Sequence, residues 1–157
     1  DTNSFNFKSY RRNNNFSDRV VYNGNSSFFL EPMEATSIYT MEYIQRMAFT
    51  IWFKGLDVSE ANNAFDVFMN EIENMIMCHY FLGSIYDTPF WEFAKKRGED
   101  KMRLAMKDET FLKLIEATKQ ISHKNHNIVH TYGTWSGVSW KQNFEKMKLY
   151  DKLETLR

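Results

Sequence analysis

Ser37-Ile38-Tyr39-Thr40-Met41-Glu42-Tyr43-Ile44-Gln45-Arg46-Met47-Ala48-Phe49-Thr50-Ile51 carries apolar residues at Ile38, Met41, Ile44, Ala48 and Ile51. That is the three- and four-residue spacing of an amphipathic helix, and Gly55 is placed to end it. Upstream the period is different. Phe5-Asn6-Phe7-Lys8-Ser9-Tyr10 largely alternates apolar and polar residues, and Arg19-Val20-Val21-Tyr22 is a second β-rich run, with Asn13-Asn14-Asn15 as the turn between them. Past Asn23-Gly24-Asn25 only helical spacing follows. Two short strands do not make an independently stable sheet, so they are expected to complete a larger one supplied by residues outside this chain. The fold class expected is α+β, mostly helical.

Helix starts are marked by side chains that can accept from unpaired amides. Asp57-Val58-Ser59-Glu60 is one such start, followed on one face by Phe65, Phe68, Ile72, Met75 and His79, a helix expected to reach about Phe81. Asp87-Thr88-Pro89 is a second, because proline is tolerated in a first turn. Asp108 opens a third, with Phe111, Leu114, Ile115 and Thr118 facing inward. A last helix is expected from Ser139, where Gln142 completes a capping box, with Trp140, Phe144 and Met147 as its stripe. His123-Lys124-Asn125-His126-Asn127 and Tyr132-Gly133-Thr134-Trp135-Ser136-Gly137 read as turn-rich connections.

With 157 residues, 43% of them apolar and 17% aromatic, the chain can bury a core. Twenty Lys plus Arg against twenty Asp plus Glu leave no field for a polyanion, so nucleic acid is not an expected partner. The single Cys78 excludes an intrachain disulfide and fits a reducing, cytoplasmic setting. No apolar run approaches the ~20 residues that a membrane helix needs. The chain opens Asp1-Thr2-Asn3 without a methionine, and is read as part of a longer protein.

Three constellations carry chemistry. Glu31-Pro32-Met33-Glu34-Ala35-Thr36-Ser37 brings two carboxylates up to a helix start whose free amides and positive dipole end suit an anion. Pattern alone favours ordinary capping there. His79, His123, His126 and His130 include an i,i+4 pair, yet no acidic base and no third ligand fall in register, so surface or hydrogen-bonded histidines are preferred to a metal site. Cys78 and His79 point about 100° apart on a helix, which makes Cys78 a core residue rather than a nucleophile. Tyr80, Phe81, Tyr86, Phe90 and Trp91, then Tyr132, Trp135 and Trp140, could sandwich a flat ring, although helix-spaced aromatics more often form core.

Taken together, Phe29-Leu30-Glu31-Pro32-Met33-Glu34-Ala35-Thr36-Ser37-Ile38 resembles the segment F-[LIV]-[ED]-P-L-E-[SA]-T-[SG]-I of flavin-dependent tryptophan halogenases. Tyr10-Arg11-Arg12 and Val20-Val21-Tyr22-Asn23-Gly24-Asn25 resemble the basic turn and last flavin-domain strand that precede it, and His79-Tyr80-Phe81 with Asp87-Thr88-Pro89-Phe90-Trp91 resembles the H-Y and D-T-P-F-W pattern that follows. The resemblance runs from about Phe5 to Lys96, and Ser139-Trp140 matches a late Ser-Trp. The sequence holds no G-x-G-x-x-G loop, no W-x-W-x-I-P motif and no assignable catalytic lysine, which lie in the family's N-terminal half. The chain is therefore expected to be a C-terminal part: residues 1–34 the end of an FAD-binding, monooxygenase-like domain with its two strands and connecting strap, residues 35–157 a helical substrate-binding region.

The resemblance implies an enzyme in which FAD, reduced by a separate flavin reductase, reacts with oxygen to a flavin hydroperoxide that oxidises halide. The hypohalous acid then reaches tryptophan or another indole through a short tunnel. Glu34 would be catalytic, stabilising the arenium cation and assisting loss of its proton. Thr36 and Ser37 would bind halide, and Phe29, Leu30, Pro32 and Ile38 would line the strap beside the flavin. Tyr80, Phe90, Trp91, Trp135 and Trp140 would contact substrate. Ala35 stands where many relatives have Ser, and Ser37 where some have Gly. Partners implied are the N-terminal flavin-binding half, the reductase, a small aromatic substrate and, through the uncovered sheet edge, a second copy in a homodimer. The rival readings are a non-catalytic helical interaction module and a related flavin monooxygenase.

Overall fold

The computed structural model describes residues 8–30, 35–121 and 132–156. They form a mostly helical α+β chain that divides into two compact units, Asp1–Met69 and Asn70–Arg157. Among the described residues no helix is long and apolar enough to cross a membrane.

The first unit begins with strand β1 (Tyr10–Arg11) paired antiparallel with β2 (Phe28–Phe29), Tyr10 opposite Phe29 and Arg11 opposite Phe28. Strand β1 thus begins at Tyr10, the last residue of the first alternating stretch, whereas β2 lies beyond the second. Phe5–Phe7 lies outside the described residues, and Val20-Val21-Tyr22 yields only a single bridge, Phe16 to Val21. The reason is a tight turn: Ser17 donates its amide to the Val20 carbonyl, while its hydroxyl accepts from the Val20 amide, bending the run back before it can extend. Phe28 takes the second strand and is 2% exposed.

Asn15, read as a turn residue, is a buried anchor. Its side chain donates to the Tyr22 carbonyl and accepts from the Ser27 hydroxyl. Its amide and that of Phe16 both donate to Asn62 Oδ1, at 2.8 and 2.9 Å, and Asn62 Nδ2 returns a bond to the Phe16 carbonyl. Asn62 lies on α2 (Val58–Leu82), so one amide side chain of a helix satisfies three backbone groups of a loop more than forty residues earlier.

Helix α1 (Thr36–Lys54) ends at Gly55, which takes the left-handed conformation (φ 72°) that a glycine adopts at no steric cost. Its inward face is Thr36, Thr40, Ile44 and Ala48, whereas Ile38 is 66% exposed. Ile44 and Ala48 of the expected stripe do face inward and Ile38 does not; Thr40 can join the inward face because its hydroxyl donates to the Thr36 carbonyl at 2.8 Å.

Helix α2 starts as its sequence indicates, Asp57 Oδ1 accepting from the amides of Ser59 and Glu60. In the second unit α3 (Pro89–Ala105) follows the cap Thr88, and α4 (Glu109–Gln120) follows the cap Asp108, with Phe111, Leu114, Ile115 and Thr118 buried. α5 (Gly137–Lys146) is capped by Ser136, which accepts from the Ser139 amide, so Ser139 sits in the first turn and not at the cap. A sixth helix, α6 (Leu149–Glu154), was not foreseen. Leu149 is five residues beyond Phe144 and in a continuous helix would point about 140° away from it. The left-handed Lys148 (φ 53°) resets the phase, so that Leu149, Leu153, Trp140 and Phe144 join one core.

α2 and α3 approach closely at Gly98, where an added Cβ would lie 2.3 Å from the Phe81 amide nitrogen and 2.8 Å from the Met77 carbonyl. Both are backbone atoms, which cannot rotate away. Gly98→Ala is expected to destabilise the second unit by at least about 1–3 kcal/mol, the cost of overpacking, measured by urea unfolding. Unchanged stability would mean that the two helices are further apart than described.

Candidate functional site

α1 begins without the usual satisfaction of its first amides. Its N-cap residue Ala35 is left-handed (φ 55°, ψ 22°) and makes no side-chain cap bond. A non-glycine residue there costs about 1–2 kcal/mol. The Ala35 carbonyl accepts from Ile38 and Tyr39, leaving the amides of Thr36 and Ser37 without an acceptor among the described residues. Thr36 is 1% exposed, and its buried hydroxyl oxygen has no hydrogen-bond partner among the described residues. A helix of 19 residues thus presents, at one place, two N–H groups and a hydroxyl without partners among the described residues, together with the positive end of its dipole. Such an arrangement suits an anion.

Glu31, Pro32 and Glu34 lie outside the described residues. Phe29 closes β2, Leu30 follows it buried at 8% exposure, and Ile38 turns its side chain outward. Arg11 pairs with Asp66 and donates to its carbonyl, and the Arg12 guanidinium lies over the Tyr22 ring at 3.8 Å, so both side chains of the basic turn have structural partners.

The aromatic candidates separate into two groups within the second unit. Tyr80, Trp91 and Phe90 lie together, Tyr80 and Trp91 with ring centres 6.2 Å apart and Phe90 edge-on to Trp91 at 5.1 Å. The Thr88 cap holds the Trp91 amide, and Phe90 is 60% exposed, so this group offers ring faces to a ligand. Trp135 and Trp140 instead belong to the core. They meet edge-to-face at 4.9 Å, Trp140 is fully buried, and its indole N–H donates to the Tyr132 carbonyl at 2.9 Å.

His79 donates from Nδ1 to the Met75 carbonyl at 2.9 Å and stands edge-on to Trp135. Cys78 is buried, with its sulfur 3.2 Å from that of Met102, and burial pushes its thiol far up, which keeps it neutral and unreactive. His123, His126 and His130 lie outside the described residues, and no group of three or more His, Cys, Asp or Glu among the described residues could hold a metal.

Sequence reading missed a polar group beside the second aromatic set. Asn74 donates to the Tyr132 hydroxyl at 2.7 Å, and Glu71 Oε2 accepts from the Gly133 amide at 3.0 Å. These pairs are 58 and 62 residues apart, and no local pattern announces them.

Trp140→Ala should destabilise the second unit by about 3–5 kcal/mol, as emptying a packed aromatic site does. Trp91→Ala should cost no more than about 1 kcal/mol, both variants being read by urea unfolding. If Trp91→Ala unfolded the unit as severely as Trp140→Ala, the first group would be core as well.

A family model described as Tryptophan halogenase matches residues 1–152 of the 157-residue chain. No match was found among the curated proteins or among the solved structures. With nearly the whole chain covered, and with the uncapped α1 start and the Tyr80–Trp91–Phe90 group at the motifs quoted above, the chain belongs to the tryptophan halogenase family.

Proposed function

We propose that this chain forms part of a flavin-dependent halogenase in which the start of α1 binds the halide and Glu34 serves as the catalytic carboxylate. The observation that carries the reading is the unsatisfied α1 N-terminus: two amides without an acceptor among the described residues, and the buried, unpartnered Thr36 hydroxyl. A halide needs donors and no acceptor, and these groups supply donors. The left-handed Ala35 supports the same reading, since strain is retained where the surrounding structure has a use for it.

The same features test the fit of a flavin. Donors at a helix start also suit a group rich in acceptors, and the outward Ile38 side chain leaves apolar surface for a ring. When bound, reduced flavin with oxygen supplies the oxidising equivalents that convert halide to hypohalous acid. Phe29, Leu30, Pro32 and Ile38 would hold it, and a separate reductase would deliver its electrons.

Glu34 precedes the helix by two residues. Its carboxylate would stabilise the cationic ring formed by electrophilic attack and accept the proton that restores aromaticity. Tyr80, Phe90 and Trp91 are proposed as a surface for a small aromatic ligand, tryptophan or another indole being the class that the family name suggests.

The alternative reading, a non-catalytic interaction module, has one observation in its favour. Phe49, Trp52 and Phe53 on α1 are 52%, 53% and 73% exposed, more apolar surface than an isolated helix end requires. The two readings part at Glu34. In the flavin-loaded protein supplied with reductase, halide and tryptophan, Glu34→Gln should lower halogenated product by about two orders of magnitude, with flavin binding nearly unchanged. Full turnover by the variant would remove Glu34 from the chemistry, and no turnover by the wild type would favour the interaction module.

A further inference from the structure

The turn Tyr132–Trp135 is fastened to α2 by an unusual pair. Gly133 is left-handed (φ 61°), and a Cβ there would come within 3.3 Å of the Glu71 carbonyl oxygen, so the turn lies directly against the helix. Glu71 Oε2 accepts from the Gly133 amide, and Asn74, one helical turn further on, donates from Nδ2 to the Tyr132 hydroxyl. Two facts do not fit an ionised Glu71. Asn74 is 1% exposed, yet its Oδ1 has no donor among the described residues. And Glu71 is half-buried, with no cation among the described residues to offset its charge. Asp108, at the cap of α4, adds a like charge, Tyr132 is a neutral phenol, and Lys101 on α3 directs its ammonium to Asn70 and Glu73.

We infer that Glu71 is held as a neutral carboxylic acid that accepts from Gly133 and donates its proton to Asn74 Oδ1, forming a proton-dependent clasp between α2 and the turn that carries Trp135. One proton satisfies both anomalies. It supplies the missing donor for Asn74 and removes a charge that Asp108 and burial oppose. Burial is the main cause that raises the carboxyl above its ordinary range, the Gly133 amide works against it, and Asp108 raises it further.

The sign follows from linkage. A carboxyl whose folded titration lies above its unfolded one gives stability that is fully present below the unfolded value and lost as pH rises through the folded value. Above that window the clasp holds a desolvated anion, Asn74 Oδ1 is orphaned, and the turn with Trp135 loosens from its place beside His79. The clasp is therefore a pH-sensitive element in the core of the helical unit, distinct from the halide and aromatic sites.

Glutamine mimics the protonated form, with an oxygen to accept from Gly133 and an NH2 to donate to Asn74. Carbon-13 NMR titration of the Glu71 carboxyl in the intact protein should therefore place its midpoint above the ordinary glutamate range. Thermal unfolding of the wild type should lose stability as pH rises through that midpoint, while Glu71→Gln should lose this slope and melt higher at neutral pH. A Glu71 midpoint at or below the ordinary range would overturn the inference, because Asn74 would then present its NH2 to a carboxylate. So would a Glu71→Gln variant that keeps the wild-type pH slope. Should the variant not fold, the wild-type titration decides alone.

Discussion

Every buried backbone N–H and C=O needs a partner, and in this chain the side chains of α2 provide partners for segments that have little regular structure of their own. In the first unit Asn62 closes three backbone groups of the Asn15–Phe16 loop. In the second, Glu71 and Asn74 hold the Tyr132–Gly133 turn. Without these bonds the two loops would have to recover hydrogen bonds from water, and the core residues they carry, Phe16 against Phe65 and Tyr132 against Trp140, would leave with them. A long helix with polar groups spaced along its buried faces thus sets where irregular chain can sit.

The helices were legible in the sequence because their signals are local. Asp57, Thr88 and Asp108 each cap the helix that their position suggested, and the inward stripe of α4 is the set Phe111, Leu114, Ile115 and Thr118. The strands were not, since two-residue strands carry almost no period and Ser17 turns the best candidate back on itself. The end of the chain was half legible. Trp140 and Phe144 belong to the expected stripe, but the break at Lys148 has no glycine or proline to announce it and follows from where Leu149 must point. The Glu71–Asn74 clasp joins residues about sixty positions from their partners, which no periodicity reaches.

Family membership and site chemistry rest on different grounds. The match over residues 1–152 establishes the family. The halide proposal depends on α1 alone, which breaks two local rules at its first turn, a start without a capping side chain among the described residues and a left-handed alanine. Sequences agree with their folds at most positions, and disagreements gather where function requires them. Thr36 Oγ1 and Asn74 Oδ1, buried polar atoms without partners among the described residues, are such disagreements, the first proposed to face a halide and the second a carboxyl proton.

The central claim is that the first turn of α1 is built to hold a halide. Bromide soaked into crystals of the flavin-loaded protein tests it by anomalous scattering. The account predicts a peak within hydrogen-bonding range of the Thr36 and Ser37 amide nitrogens, weakened when chloride competes. A well-ordered α1 start without a peak, or bromide found only at other positions, would contradict it.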